Sequence, residues 1–240
     1  MMKHKSIATV LAAGALGLGF GFGIAPASAT APTARPAPTV RDLGVEKARC
    51  AAAIDVRLPE LAKLNASLTS AKRITDEHRA AQKSSVSAAS SGLSALKTKI
   101  AADTDPATLG EDCKSIIEGY RVFALRASQT HVMIAADTEA AAVAALNTAV
   151  PKLADAISKA EAAGKNVATA KTALVDLQAK LAEAGTQAGG VAAGVIGLVP
   201  ADYNTNHNVL DGARSAVKTA SADLKAARAD IKTITSTVKA

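Results

Sequence analysis

The side chains that could do chemistry in this chain are few, and their spacing argues against most of what they could do. His78, His131 and His207 lie in different segments, and none has another histidine or a cysteine three or four residues away, the spacing that builds a metal pair on a helix. His131 and Asp137 are six residues apart, which puts them on different helix faces. Asp103, Asp105, Glu111 and Asp112 cluster where Ca²⁺ could sit, but the glycine-centred calcium loop is missing; acids at a helix start also complement the positive end of its dipole. Tyr120 and His131 are residue types that serve as axial haem ligands. Tyr120, however, shares a seam with Ile116 and Phe123 and reads as core.

Ser84, Ser85, Ser87, Ser90 and Ser91 have no Gly-x-Ser-x-Gly elbow and read as a solvated helix face. Gly189-Gly190 opens into the apolar run 191–199 and not out of a strand into a phosphate loop. Within that run Gly190 and Gly194 have the small-residue spacing that lets helices approach closely, and the run is too short to span a membrane. No catalytic residue, metal ligand or cofactor site is expected, and no enzymatic activity.

The elements that must position these residues are helices. Alanine dominates the composition and only 2% of residues are aromatic, the profile of long helices packed at short separation. Leu210, Ala213, Val217, Ala220, Leu224, Ala227, Ile231, Ile234 and Val238 step by three and four, the apolar seam of a coiled coil. Val86, Ala89, Leu93, Leu96 and Ile100 repeat the rule, as do Val167, Ala170, Leu174, Leu177, Leu181 and Ala184. A first helix is expected from Asp42 to Arg73, with Ile54, Leu58, Leu61, Leu64 and Leu68 inward and a kink at Pro59, and a second from Thr75 to Ala102. Asp103-Thr104-Asp105-Pro106 reads as a turn and helix start.

The third segment, 107–162, changes register. Leu109, Cys113, Ile116, Tyr120 and Phe123 form one seam, whereas Val143, Leu146, Val150, Leu153 and Ile157 form another, displaced by two heptad positions. At about 100° per residue that turns the seam to nearly the opposite face, so one helix would serve two partners. The expected fold is all-α: long antiparallel coiled-coil-like helices in two tandem three-helix bundles, residues 42–129 and 130–240, sharing this middle helix. Gly164 and the 200–204 segment end the helices of the second bundle.

In an up-down-up bundle the first and third helices are parallel, so Cys50 and Cys113 stand at the same height, about 10 Å from one end. Two cysteines so placed in an exported chain read as one disulfide. Export is read from residues 1–29: Lys3 and Lys5, the uncharged stretch from Ile7 to Ile24, and Ala27-Ser28-Ala29 make a secretory signal peptide. Residues 30–41, with Pro32, Pro36 and Pro38, read as an extended tether. The expected location is secreted or extracytoplasmic, with no transmembrane span after cleavage.

Removing Lys3 and Lys5 leaves 26 basic and 21 acidic residues, a net charge of +5. That excess allows weak binding to anionic polymers. With no basic block and so few aromatic residues to stack bases, nucleic acid is not expected as a partner.

The segments Asp103-Thr104-Asp105-Pro106-Ala107-Thr108-Leu109, Asp112-Cys113, Tyr120-Arg121-Val122, His131, Ile134-Ala135-Ala136-Asp137 and Gly197-Leu198-Val199-Pro200-Ala201-Asp202-Tyr203-Asn204 resemble uncharacterised exported alanine-rich helical proteins of high-GC Gram-positive bacteria. The resemblance implies an envelope or extracellular setting and brings no activity, cofactor or partner. Two functions remain: a non-enzymatic structural or interaction protein, or an extracytoplasmic carrier of a small ligand such as a lipid or haem. Alanine seams close the space a carrier's pocket would need, which favours the first. The expected mature N-terminus is Thr30, to be read from the intact mass of the secreted protein; retention of residues 1–29 would indicate an anchor.

Overall fold

Each apolar seam becomes a helix, and the breaks fall where backbone donors are lost. A computed structural model describes residues 42–240; the signal and tether segments expected over 1–41 lie outside the described residues. Helix α1 (Leu43–Asp55) starts at Asp42, whose carboxylate accepts from the Gly44 N–H at 2.8 Å. It gives way at Val56 to α2 (Arg57–Ser70). The expected single helix is divided because Pro59 cannot donate to the Asp55 carbonyl; Pro59 instead occupies the first turn of α2, where no donor is needed. Thr75 caps α3 (Asp76–Ala102) by accepting from the His78 N–H at 3.1 Å. Asp105 caps α4 (Pro106–Glu118), accepting from both the N–H and the hydroxyl of Thr108 at 2.8 Å.

After α4 the chain does something the sequence did not announce. Arg121 takes a left-handed backbone, φ 44°, and a π-helical turn follows over Val122–Ala127 before α5 (Ser128–Asn147). The Arg126 N–H reaches back five residues to the Arg121 carbonyl at 3.1 Å. This wider turn rotates the following side chains, so Val122 and Leu125 enter the core. Phe123, expected inward, is 49% exposed and lies under the Arg57 guanidinium, 5.4 Å from its ring centre.

Helix α6 (Val150–Ala162) follows a break that Pro151 imposes as Pro59 does. It ends at Gly164, φ 79°, with the Lys165 N–H bonded to the Ala160 carbonyl and the Gly164 N–H to the Glu161 carbonyl, a Schellman closure that only glycine enters without strain. Then come α7 (Ala168–Ala188), the short α8 (Val191–Ile196) and α9 (Pro200–Thr205), and the long α10 (Asp211–Lys239). The fold is all-α; no strand occurs among the described residues.

The irregular joint between α4 and α5 does not turn the chain back. Descending α3 from its C-terminal end, Lys99 meets Asp112 at 2.7 Å, Gly92 meets Tyr120, Ser85 meets Arg126 at 2.7 Å, Gln82 meets Thr130 at 2.8 Å and His78 meets Asp137 at 2.9 Å. That is one antiparallel register from 112 to 137. At the end where this register begins, beside Asp112, Cys50 and Cys113 are bonded, with Cα atoms 5.5 Å apart, tying α1 to α4. Closing a loop of this length removes unfolded-state entropy equivalent to about 4 kcal/mol.

Two hydrophobic clusters result. The first joins α1 to α4 and the first half of α5, including Val132, Met133 and Ala136, and also takes Ala192, Val195 and Leu210. The second joins Ala142 and Val143 of α5 to α6, α7 and α10, and alanines make up about half of its buried positions. The most extensive helix pair is α7 with α10.

Tyr120 fixes a test of the first cluster. A Cβ at Gly92 would stand 2.6 Å from the Tyr120 hydroxyl, whereas one at Gly110 in α4 would meet nothing within 4 Å. Gly92→Ala is therefore expected to lose about 1–2 kcal/mol through overpacking, and Gly110→Ala to gain about 0.5–1 kcal/mol through helix propensity. Urea unfolding of the two variants checks the pair; equal and positive effects would mean that Tyr120 does not press on α3.

Candidate functional site

Groups suited to chemistry come together in three places, and in each they brace a helix end. In the first, the α2–α3 turn is tied to α5. The His78 Nδ1 lies 2.9 Å from both carboxylate oxygens of the buried Asp137, and Asp137 also accepts from the Thr75 N–H at 3.1 Å. Arg79 completes the brace by donating to the Leu68 carbonyl and, at 2.7 Å, to the Ala71 carbonyl. A His–Asp pair can orient a general base. Here the carboxylate spends its second bond on the cap of α3, so the pair holds a corner.

The second brace fastens α8 to α5. The buried Gln129 donates from Nε2 to the carbonyls of Val195, Ile196 and Leu198 at 2.5, 3.0 and 3.1 Å, at and just beyond the end of α8. Arg126 donates to Ser85 at 2.7 Å and to Gln129 at 3.2 Å, and burial lowers its pKa. Gln82 and Thr130, both fully buried, bond at 2.8 Å beside it. In the third brace α9 clamps the α4–π joint: Asn204 accepts from Arg121 Nε at 2.5 Å and donates to the Glu118 carbonyl at 3.0 Å. The Arg121 guanidinium lies 5.4 Å from the Tyr203 ring centre.

His131 enters none of these. It lines a groove of about 550 Å³ between α5 and α10, with Val132, Ala135 and Val217 as apolar walls and Arg214, Lys218 and Lys225 on the α10 rim. Glu139 stands in the same groove; burial raises its pKa, a bond with Ser221 opposes that shift, and its Oε2 is buried without a hydrogen-bond partner. His207 packs against Tyr203 with ring centres 5.0 Å apart.

Of the acids singled out in the sequence, Asp103, Glu111 and Asp112 lie around Lys99. Asp105 is a helix cap whose pKa is lowered chiefly by the Thr108 backbone bond, and Asp112 pairs with Lys99, raising the Lys99 pKa through that hydrogen bond first. Tyr120 packs half-buried against the first cluster, and burial raises its phenol pKa. Glu46 approaches both cysteine sulfurs, but these are bonded to each other and present no thiolate to a metal.

Sequence reasoning missed the His78–Asp137 pair because 59 residues separate its members. A signal existed for Gln82, Gln129 and Thr130: polar residues interrupting otherwise apolar helix faces. The chain matches no family model, no curated protein and no solved structure.

Glu139 provides a test with a definite sign. A carboxyl whose pKa is raised on folding binds its proton more tightly in the native state, so stability falls as pH rises from the unfolded pKa through the folded one. Glu139→Gln removes that loss. Its melting temperature should exceed the parent's at neutral pH, and the gain should shrink below the ordinary glutamate pKa of about 4.3. A gain independent of pH, or a loss at neutral pH, would show that Glu139 is not held in a desolvated position.

Proposed function

We propose that this chain is a non-enzymatic helical structural or interaction protein that works in the cell envelope or the extracellular space. The observation that carries this reading is the use of its polar side chains. His78, Asp137, Arg79, Arg126, Gln129 and Asn204, the groups best suited to bind or transform a ligand, are committed to helix ends and turns. Such bracing stiffens a scaffold, because the bonds from Arg79, Arg126, Gln129 and Asn204 to carbonyls, and from the Thr75 N–H to Asp137, satisfy backbone groups at helix ends and turns.

The Cys50–Cys113 bond suits an oxidising compartment and so supports extracytoplasmic work. The segment Pro106–Ala162 includes a stretch whose mean hydropathy, 1.2, is high enough for a membrane span by composition, and alanine supplies much of it. Asp137 and Gln129, earlier in the same segment, bond to α3 and to the end of α8, and the helix is interrupted ahead of Pro151, which favours two helices packed in protein over one continuous span in lipid. What remains for a partner is surface: the serine-bearing outer face of α3 and the polar outer face of α10.

The protein recovered from the culture medium of the cells that make it should be colourless, should release no lipid into organic solvent, and should have a native mass equal to that of its polypeptide. A coloured or lipid-bearing preparation would make it a small-ligand carrier instead.

A further inference from the structure

The cations of α10 are evenly phased along its length. Arg214, Lys218, Lys225, Arg228, Lys232 and Lys239 step by three, four and seven residues. At about 100° per residue all six fall within about 40° of one line along the helix. Every one is exposed. From Arg214 to Lys239 the line runs for about 38 Å at 1.5 Å per residue. The acids Asp223 and Asp230 sit on the far side of the same helix, where Lys180 of α7 comes within 3.8 Å of Asp223. Arg214 pairs with Asp211 at 3.0 Å, whereas Lys218, Lys225, Arg228 and Lys232 form no ion pair among the described residues. The helix thus draws cations that are spaced along the sequence into a straight stripe, neutralised by Asp211 at its Arg214 end.

We propose that this stripe, entered through the α5–α10 groove, is a docking surface for a linear phosphate or phosphodiester polymer without bases. The inference rests on the reading of the chain as an interaction protein and names its partner. A thread-like polyanion matches a straight row of charges, because successive phosphates can meet successive cations and release their counterions. At about 100° per residue Ser221, Ser236, Ala229 and Ala222 lie between and beside the cations, with Val217 and Thr235 along the other edge. These small side chains let a chain lie close, and they lack the bulky apolar groups with which an interfacial helix enters a bilayer. No aromatic residue occurs anywhere in α10 to stack a base, and the backbone of a duplex winds away from a straight line.

The test uses the full mature chain and long-chain sodium polyphosphate as probe, with binding read by calorimetric titration. Affinity should fall roughly 100-fold between about 50 and about 200 mM salt, as the release of about four counterions requires. The variant K218Q/K225Q/R228Q/K232Q should bind at least about tenfold more weakly and with a flatter salt dependence. A control, K63Q/K72Q/K114Q/K152Q, removes the same charge elsewhere and should stay within about threefold of the parent. Circular dichroism checks the fold of each variant, and the salt titration of the parent stands without them. Absence of binding, equal losses in the two variants, or tighter binding to phosphatidylglycerol vesicles or duplex DNA than to polyphosphate would each overturn the assignment. Such a failure leaves the interaction-protein reading standing, because that reading is decided separately by pigment, lipid and native mass.

Discussion

Helix α5 has to satisfy two cores at once, and the rest of the molecule is arranged around that constraint. Val132, Met133 and Ala136 belong to the first cluster, while Ala142 and Val143, one to three turns on, belong to the second with α7 and α10. At about 100° per residue Val132, Ala136 and Val143 fall within about 40° of one another, so one seam of α5 enters the two cores in succession along its length. The irregularities of the chain fall outside this stretch, at the π-helical turn before α5 and at the break ahead of Pro151 after it. Polar braces gather around this helix because its orientation must be fixed for both cores to close.

The two clusters are held by different means. The first has bulky residues such as Leu61, Leu64, Leu93 and Ile100, together with the disulfide and all three braces. The second relies on Ala170, Ala173, Ala184, Ala220 and Ala227, whose small side chains contribute little apolar area each but let α7 and α10 lie close over their length. Extent of contact takes the place of side-chain size. An alanine-lined interior of this kind leaves the outward faces to define what the molecule touches, and on α10 that face carries a row of exposed cations.

Much of this was legible in the sequence, for a physical reason: helical periodicity is local. The inward positions of α3, α7 and α10, the caps at Thr75 and Asp105, and the stop at Gly164 all follow from residues within one or two turns of each other. The disulfide followed from helix direction and height. What escaped depends on geometry that spacing does not encode. The left-handed Arg121 moved Phe123 out of the core, and a residue with a Cβ gives no warning of a positive φ. Asp137 found His78 across helices, not the nearer His131. The cationic stripe is written in the sequence too, since its intervals of three, four and seven residues are those of a helix face.

Because α5 belongs to both cores, neither can unfold while the other keeps its helix, and the described fold should melt as one unit. Differential scanning calorimetry of the oxidised protein tests this most directly. The account predicts a single transition whose calorimetric and van't Hoff enthalpies agree. Two resolved transitions, or a van't Hoff enthalpy well below the calorimetric one, would show that the clusters are independent and that α5 does not couple them.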